Sequence, residues 1–365
     1  MKIMMAAPYN VNGRYSGGIA SIANTVLKNK DVLDDEIIKF ETCRINRKNT
    51  KDASISIVNI KNSLCMYKDI IKEIKKHNPD VLYFHTSVKL ALLKDLLVIR
   101  HAKRKTNIST VAHIHFADYK KIMTSNKFLN RMILSLLRKY VDHVVFLSKK
   151  TKKEFIKHGL NQKRCSVIYN FSSIECSRDD IIRKHNSLRE LVFIGSIDKR
   201  KGVFDLFDAL DSIDDKNIIL NICGSCLTEE DEECFEKYLS NHNSNVIYHG
   251  YVDEIKRKDV LLKSDVLVLP SYGEGFPMVI MEAYSTGCMV ISTNVGAIPE
   301  ILNESNGFII SPGNVKALGE CIESSINMSD DEIKKIQINN YDVSQKYSLN
   351  KFLEMMVLVC RGINK

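Results

Sequence analysis

At 365 residues, 44% apolar and 27% charged, the chain is long enough for two domains with separate cores, and its ten scattered cysteines exclude a disulfide scaffold. The net charge of +9 is unevenly held: residues 1–170 carry 33 Lys+Arg against 13 Asp+Glu, and residues 171–365 carry 20 against 31. A basic first half fits a phosphate-rich acceptor or an anionic membrane surface; without a helix-turn-helix, zinc-finger or RNA-binding signature, nucleic acid is not expected as a partner.

Met1 to Ala7 predicts a short buried strand. Its apolar run ends at Pro8, too soon for a signal peptide, and no stretch reaches membrane-spanning length. The expected location is the cytoplasm, with at most peripheral attachment to the inner face of the membrane. After a polar loop, Gly17-Gly18 precede an apolar-periodic helix from Ile19 to Lys28. Strand, glycine loop and helix start together form phosphate-binding architecture, because the helix start offers free N–H groups.

Strand-like runs recur at Ile37–Thr42, Ile55–Ile60, Val81–His85, Ser109–His115, Val144–Leu147 and Ser166–Tyr169. Helical patterns at Leu64–Lys76, Lys89–Lys105, Lys127–Tyr140 and Lys149–Lys157 separate most of them. Such alternation predicts a parallel sheet with helices on both faces and ligands beyond the strand carboxyl ends. His113 and His115 sit at one such end with period-two spacing, on one face of a strand. A metal pair is conceivable there, but nothing nearby in the sequence completes a ligand set, so no metal is expected. The tract KFLNRMILSLLRKY (127–140) is both basic and apolar. A surface-lying helix of this kind can bind anionic lipid at about 1 kcal/mol per basic side chain; it can equally be a core helix with a solvated basic edge.

The polar tract Ser172 to Arg189 reads as a linker. A strand at Leu191–Ile194 is followed by Gly195-Ser196-Ile197-Asp198-Lys199-Arg200-Lys201-Gly202, whose three consecutive cations before a helix start suit a diphosphate. Strands at Ile218–Cys223 and Val246–Tyr248 and helices at Asp231–Leu239 and Ile255–Leu262 come next.

From Asp265 to Leu302 the chain reads DVLVLPSYGEGFPMVIMEAYSTGCMVISTNVGAIPEIL. The strand Val266–Leu269 leads into a turn carrying Glu274 between two glycines. Pro277 then suits the first position of a helix that runs to about Tyr284, with Glu282 two turns in. Exposed N–H groups near Met278 favour anionic or hydroxyl-rich ligands, and two rigidly mounted carboxylates suit sugar or ribose hydroxyls. A second strand, Cys288–Ser292, and the turn at Gly296 lead to Pro299-Glu300, and a final helical pattern spans Leu349–Arg361.

This segment resembles the donor-binding segment of the family 4 glycosyltransferases. That family carries two glutamates eight residues apart, within PS-x-x-E-G-x-P, then EA-x-x-x-G and G-x-x-PE. Here the matching residues are Pro270-Ser271, Glu274-Gly275-Phe276-Pro277, Glu282-Ala283, Gly287, Gly296 and Pro299-Glu300. The resemblance implies the GT-B fold: two Rossmann-like parallel-sheet α/β domains facing a central cleft. It places an acceptor-side domain at 1–172, a nucleotide-sugar domain at 173–345, and a terminal helix, 346–365, crossing back to the first. It implies a retaining transfer of a hexose-type sugar from a UDP- or GDP-linked donor to a glycan or lipid-linked acceptor in polysaccharide biosynthesis.

By the same resemblance Glu274 holds the sugar hydroxyls and Glu282 the ribose hydroxyls. Lys201, Gly17, Gly18, Gly275, Phe276, Pro277 and Met278 serve the donor, and His115, here followed by Phe116 instead of the usual glycine, lies by the sugar. The family's diphosphate arginine falls at Ser196, so Arg200 is the candidate substitute. No Asp-x-Asp follows an apolar strand, so neither a metal nor a cofactor is expected. Two other readings use the same fold: a nucleotide-sugar epimerase, which would consume donor without acceptor, and a non-catalytic nucleotide-sugar-binding protein.

Overall fold

The computed structural model describes residues 1–9, 18–42, 57–181, 189–213, 218–242 and 245–364. They form two compact units, one of residues 1–170 with 349–365, the other of residues 171–348.

The first unit is built on a six-stranded sheet of β1 (Lys2–Ala7), β2 (Glu36–Glu41), β3 (Val81–Thr86), β4 (Ser109–Ile114), β5 (His143–Phe146) and β6 (Cys165–Val167), in the order β2-β1-β3-β4-β5-β6. Every pairing is parallel. β3 is buried throughout, and its first four residues, VLYF, are correspondingly apolar, while His85 and Thr86 are buried polar groups at its end. Strand order reverses between β1 and β3, the place where such sheets bind ligands.

The second unit holds β7 (Arg189–Ile194), β8 (Ile218–Cys223), β9 (Val246–Gly250), β10 (Val266–Leu269), β11 (Met289–Thr293) and β12 (Gly307–Ile310), again all parallel. Their order, β12-β11-β10-β7-β8-β9, is that of the doubly wound dinucleotide-binding sheet, and the reversal lies between β7 and β10.

One expected strand is absent. Residues 57–60 of the run Ile55–Ile60 begin a single helix, Ile57–His77, while 55 and 56 lie outside the described residues. Neither Gly nor Pro interrupts the chain from Ile57 to His77, so nothing stops the helix, and a short β-branched run alone does not decide between the two states. Conversely, β12 and the helices Val315–Ile326 and Asp330–Ser344 carry elements the sequence reading left unassigned. The last begins with a capping box, Ser329 to Glu332, that its S-x-x-E pattern announces.

In the tract that reads as a linker, Ile174 and Ile181 are buried, whereas Glu175 and the residues from Ser177 to Asp180 are exposed. The terminal helix, Leu349–Ile363, belongs to the first unit, where Arg361 Nη2 lies 2.8 Å from Asp35 Oδ2 and Phe352 stacks on His113 with ring centroids 6.1 Å apart. Among the described residues no helix is long and apolar enough to cross a membrane.

Candidate active site

Beyond the end of β7 the chain makes one short 3-10 turn, Lys199–Lys201, capped by the Asp198 carboxylate, which accepts from the Lys201 backbone N–H at 2.8 Å. Gly202 follows at φ +73, and a Cβ there would come within 2.1 Å of the Pro270 carbonyl oxygen. Only glycine allows this approach, and it delivers Lys201 to the loop after β10, across the strand reversal. Lys201 Nζ donates to Glu274 Oε1 at 2.6 Å, and Ser271 Oγ donates to the same oxygen at 2.9 Å. Both groups are largely buried, the lysine side chain 16% and the glutamate 9% exposed. The Glu274 loop is itself packed on Gly296 (φ +58), where a Cβ would lie 2.3 Å from the Glu274 carbonyl oxygen.

Arg200 lies half exposed at the same turn. Its Nη2 reaches Ser196 Oγ at 3.3 Å and lies 3.6 Å from Asp198 Oδ2. The guanidinium therefore covers the position where the family pattern has its arginine.

Pro277 caps the helix Met278–Ser285 with an extended backbone (ψ 114), one position earlier than the sequence reading placed it. Among the described residues no side chain caps this helix start, and its first N–H groups are open to a ligand or solvent. Gly275 and Met278 are half-buried, and Phe276 is buried with its ring 5.7 Å from that of Tyr347. Glu282 points inward and is 3% exposed. Ser173 Oγ donates to its Oε1 at 2.9 Å, and Arg257 Nε stands 3.0 Å from its Oε2. Burial pushes the Glu282 carboxyl up, and the Arg257 charge and the Ser173 hydrogen bond oppose the rise. Each of the two glutamates is thus buried with one cation and one serine.

In the first unit β3 pairs with β4 so that His85 stands opposite His113, and His115 follows on the same face. His85 Nδ1 and His115 Nε2 share a 2.7 Å hydrogen bond; Tyr83 Oη and His113 Nδ1 share one of 2.9 Å. The His113 and His115 rings lie 4.0 Å apart at 33°, and those of His85 and His115 4.9 Å apart at 25°. Burial pushes His85 down to about 3, and holds His113 and His115 well below the usual range. All three are therefore neutral near pH 7. One ligand atom from each falls within 4.8 Å of the others, yet the single proton shared by His85 and His115 leaves at most two of the three outward nitrogens bare. The three rings form one cluster, joined by the His85–His115 hydrogen bond and by ring packing of His113 on both.

A model described as "Glycosyl transferases group 1" matches residues 177–342, and one described as "Glycosyltransferase Family 4" matches residues 53–175. The chain belongs to the family 4 glycosyltransferases. The Escherichia coli UDP-Gal:alpha-D-GlcNAc-diphosphoundecaprenol alpha-1,3-galactosyltransferase is 25% identical over 327 residues, covering 85% of this chain and 79% of that protein. The Staphylococcus aureus capsular polysaccharide biosynthesis glycosyltransferase CapM is 27% identical over 230 residues, 59% of this chain and 58% of that one. Anabaena HepE, solved with UDP-glucose, superposes with a TM-score of 0.74 at 18% identity, covering 99% of this chain and 100% of that one. That likeness shows the fold, GT-B.

Of the residues that the family resemblance singles out, the structure brings Lys201, Arg200, Glu274 and the helix start after Pro277 to the two loops flanking the β7–β10 reversal. Gly18 opens the helix Gly18–Lys28 after β1, with none of the described residues within 4 Å of where its Cβ would be, and Gly17 lies outside the described residues. Four residues of this glycosyltransferase escaped sequence reasoning: Ser271, Ser173, Arg257 and His85. Ser271 stood in the motif unread. The others lie 109, 25 and 30 residues from the groups they touch, and no local pattern announces them.

Proposed function

We propose that this glycosyltransferase moves a hexose-type sugar from a UDP- or GDP-linked donor to a hydroxyl of a glycan or lipid-linked acceptor in polysaccharide biosynthesis, with retention and without a bound metal. The observation that carries the reading is the buried Lys201–Glu274 pair, set beside an uncapped helix start at the strand reversal of a dinucleotide-type sheet. The galactosyltransferase relative, which acts on a lipid-linked sugar, and the HepE complex with UDP-glucose support the donor and acceptor classes.

In this reading the acceptor oxygen bonds to the anomeric carbon as the bond from that carbon to the diphosphate breaks, and the acceptor proton leaves on the departing phosphate. Lys201, Arg200 and the N–H groups after Pro277 stabilise the charge that develops on the diphosphate. Both hydrogen bonds to Glu274 fall on Oε1, which leaves Oε2 for sugar hydroxyls. Glu282 keeps lone pairs for ribose hydroxyls while Arg257 and Ser173 hold it rigid. From the first unit, the family resemblance assigns Gly17 and Gly18 to the diphosphate and His115 to the sugar.

A cytoplasmic enzyme with a lipid-linked acceptor would work at the inner membrane face. The helix Lys127–Tyr140 suits such docking: Ile133, Leu136 and Leu137 are buried, while Phe128 is 70% exposed among the exposed Lys127, Arg131, Arg138 and Lys139.

The test is to incubate the protein with a panel of nucleotide sugars and candidate acceptors, with and without EDTA, and follow nucleoside diphosphate and the anomeric configuration of the product. Acceptor-dependent release that survives EDTA, with retention, is expected. Loss of most turnover with EDTA, or donor consumption without acceptor, would overturn the reading.

A further inference from the structure

The histidine stack of the first unit contains a question of proton placement that its geometry answers. Because His85 Nδ1 and His115 Nε2 lie 2.7 Å apart, one hydrogen sits between them. Each ring is neutral and carries one N–H. The remaining nitrogens, His85 Nε2 and His115 Nδ1, are both buried without a hydrogen-bond partner among the described residues, and one of them is an N–H and the other a bare lone pair. A buried N–H without a partner is rarer and costlier than a buried acceptor without one.

The two sites are not equivalent. His85 is 2% exposed, inside β3, with the rings of Tyr83, His113 and His115 about it at centroid distances of 5.1, 5.5 and 4.9 Å. His115 is 9% exposed and lies one residue past the end of β4, at the ligand-binding edge of the sheet. Of the two orphaned nitrogens, only the one on His115 can meet a partner after a small opening. The bare lone pair therefore belongs on His85 Nε2 and the proton on His115 Nδ1.

We propose that His85 is a positioning residue: it donates its Nδ1–H to His115 Nε2, which fixes His115 as the Nδ1–H tautomer. His115 then offers a hydrogen-bond donor to an acceptor oxygen of a neutral sugar. The last step rests on the reading of His115 as a sugar contact; the tautomer does not. His113 packs against both rings, held by Tyr83 and stacked on Phe352.

The experiment is a long-range proton–nitrogen correlation spectrum of the full chain labelled with 15N-histidine, at pH 7.5, with His115 assigned through His115→Gln. The expected result is a pyrrole-type Nδ1 and a pyridine-type Nε2 at His115. An Nε2–H tautomer or a cationic ring there overturns the proposal. Two variants add an independent readout. His85→Gln keeps a side-chain N–H that can reach His115 Nε2, whereas His85→Leu does not. Losing one such hydrogen bond corresponds to about a tenfold fall, so kcat of His85→Leu is expected roughly tenfold below that of His85→Gln, with donor KM alike. Equal kcat in the two folded variants, where His115→Gln is itself impaired, also overturns it. Should the tautomer be as expected while His115→Gln keeps full turnover, the positioning by His85 stands and the sugar contact falls.

Discussion

Lys201 and Glu274, 73 residues apart, share a 2.6 Å hydrogen bond that joins the two loops on either side of the strand reversal in the second sheet. Neither is held by its own element alone. The lysine is placed by the Asp198-capped turn and Gly202, the glutamate by Ser271 and Gly296. The pair is therefore a preformed charge arrangement, and a ligand need not organise it on arrival.

Lys201→Ala and Glu274→Ala are each expected to lower kcat/KM by roughly 1.5–3 kcal/mol, about ten- to 150-fold. Because the two groups share one bond, the double variant should lose less than the sum. Steady-state kinetics on the four proteins of this cycle provide the check, and strict additivity would contradict the coupling.

Arg257 guards the other glutamate. Arg257→Met leaves Glu282 buried without its cation, at an expected cost of about 3–5 kcal/mol in urea unfolding. Adding Glu282→Gln to the same chain should recover much of that. The folded carboxyl is already raised, so the fold binds its proton more tightly than the unfolded chain does. The loss in Arg257→Met should accordingly grow as pH rises above the ordinary carboxylate range and shrink below it.

Two glycines should respond with opposite signs. Gly296→Ala places a methyl 2.3 Å from the Glu274 carbonyl oxygen on a left-handed backbone, which costs roughly 1–3 kcal/mol and displaces the Glu274 loop. Gly362→Ala, in the terminal helix with nothing within 4 Å, should gain up to about 0.5–1 kcal/mol. Thermal melts of both variants, with turnover of the first, test the pair.

Stability of the first unit should fall in mild acid. His85, pushed down to about 3 from 6.5, binds fewer protons folded than unfolded in that window, so stability is lost as pH drops through it. At pH 5 this group alone costs about 2 kcal/mol, and His113 and His115 add in the same direction. Unfolding midpoints in urea across pH 5 to 8 measure it; His85→Gln should flatten the profile.

Membrane docking predicts sedimentation with anionic but not neutral liposomes, weakened by salt. Phe128→Ser should lower the binding free energy by up to about 1.5–3 kcal/mol, the worth of one buried aromatic side chain. Equal binding to neutral vesicles would remove the proposal.

Much of this architecture is local in origin, and so it can be read from the chain. Alternating apolar strands and periodic helices, punctuated by glycine, determined by themselves that the protein is a parallel α/β chain. The ordered motif from Pro270 to Glu300 determined its family. The run at 57–60 shows where local information stops: its β-branched residues suit either state, and the absence of a breaker before His77 let the helix take them.

Only the tertiary structure decided who meets whom. Arg257 and Ser173 reach Glu282 from different elements, His85 meets His115 through the β3–β4 register, and the Arg200 side chain folds back over Ser196. The physical reason is that periodicity and turn chemistry act over a few residues. Ion pairs and buried hydrogen bonds are instead selected by strand order and register, which only the packed sheet sets.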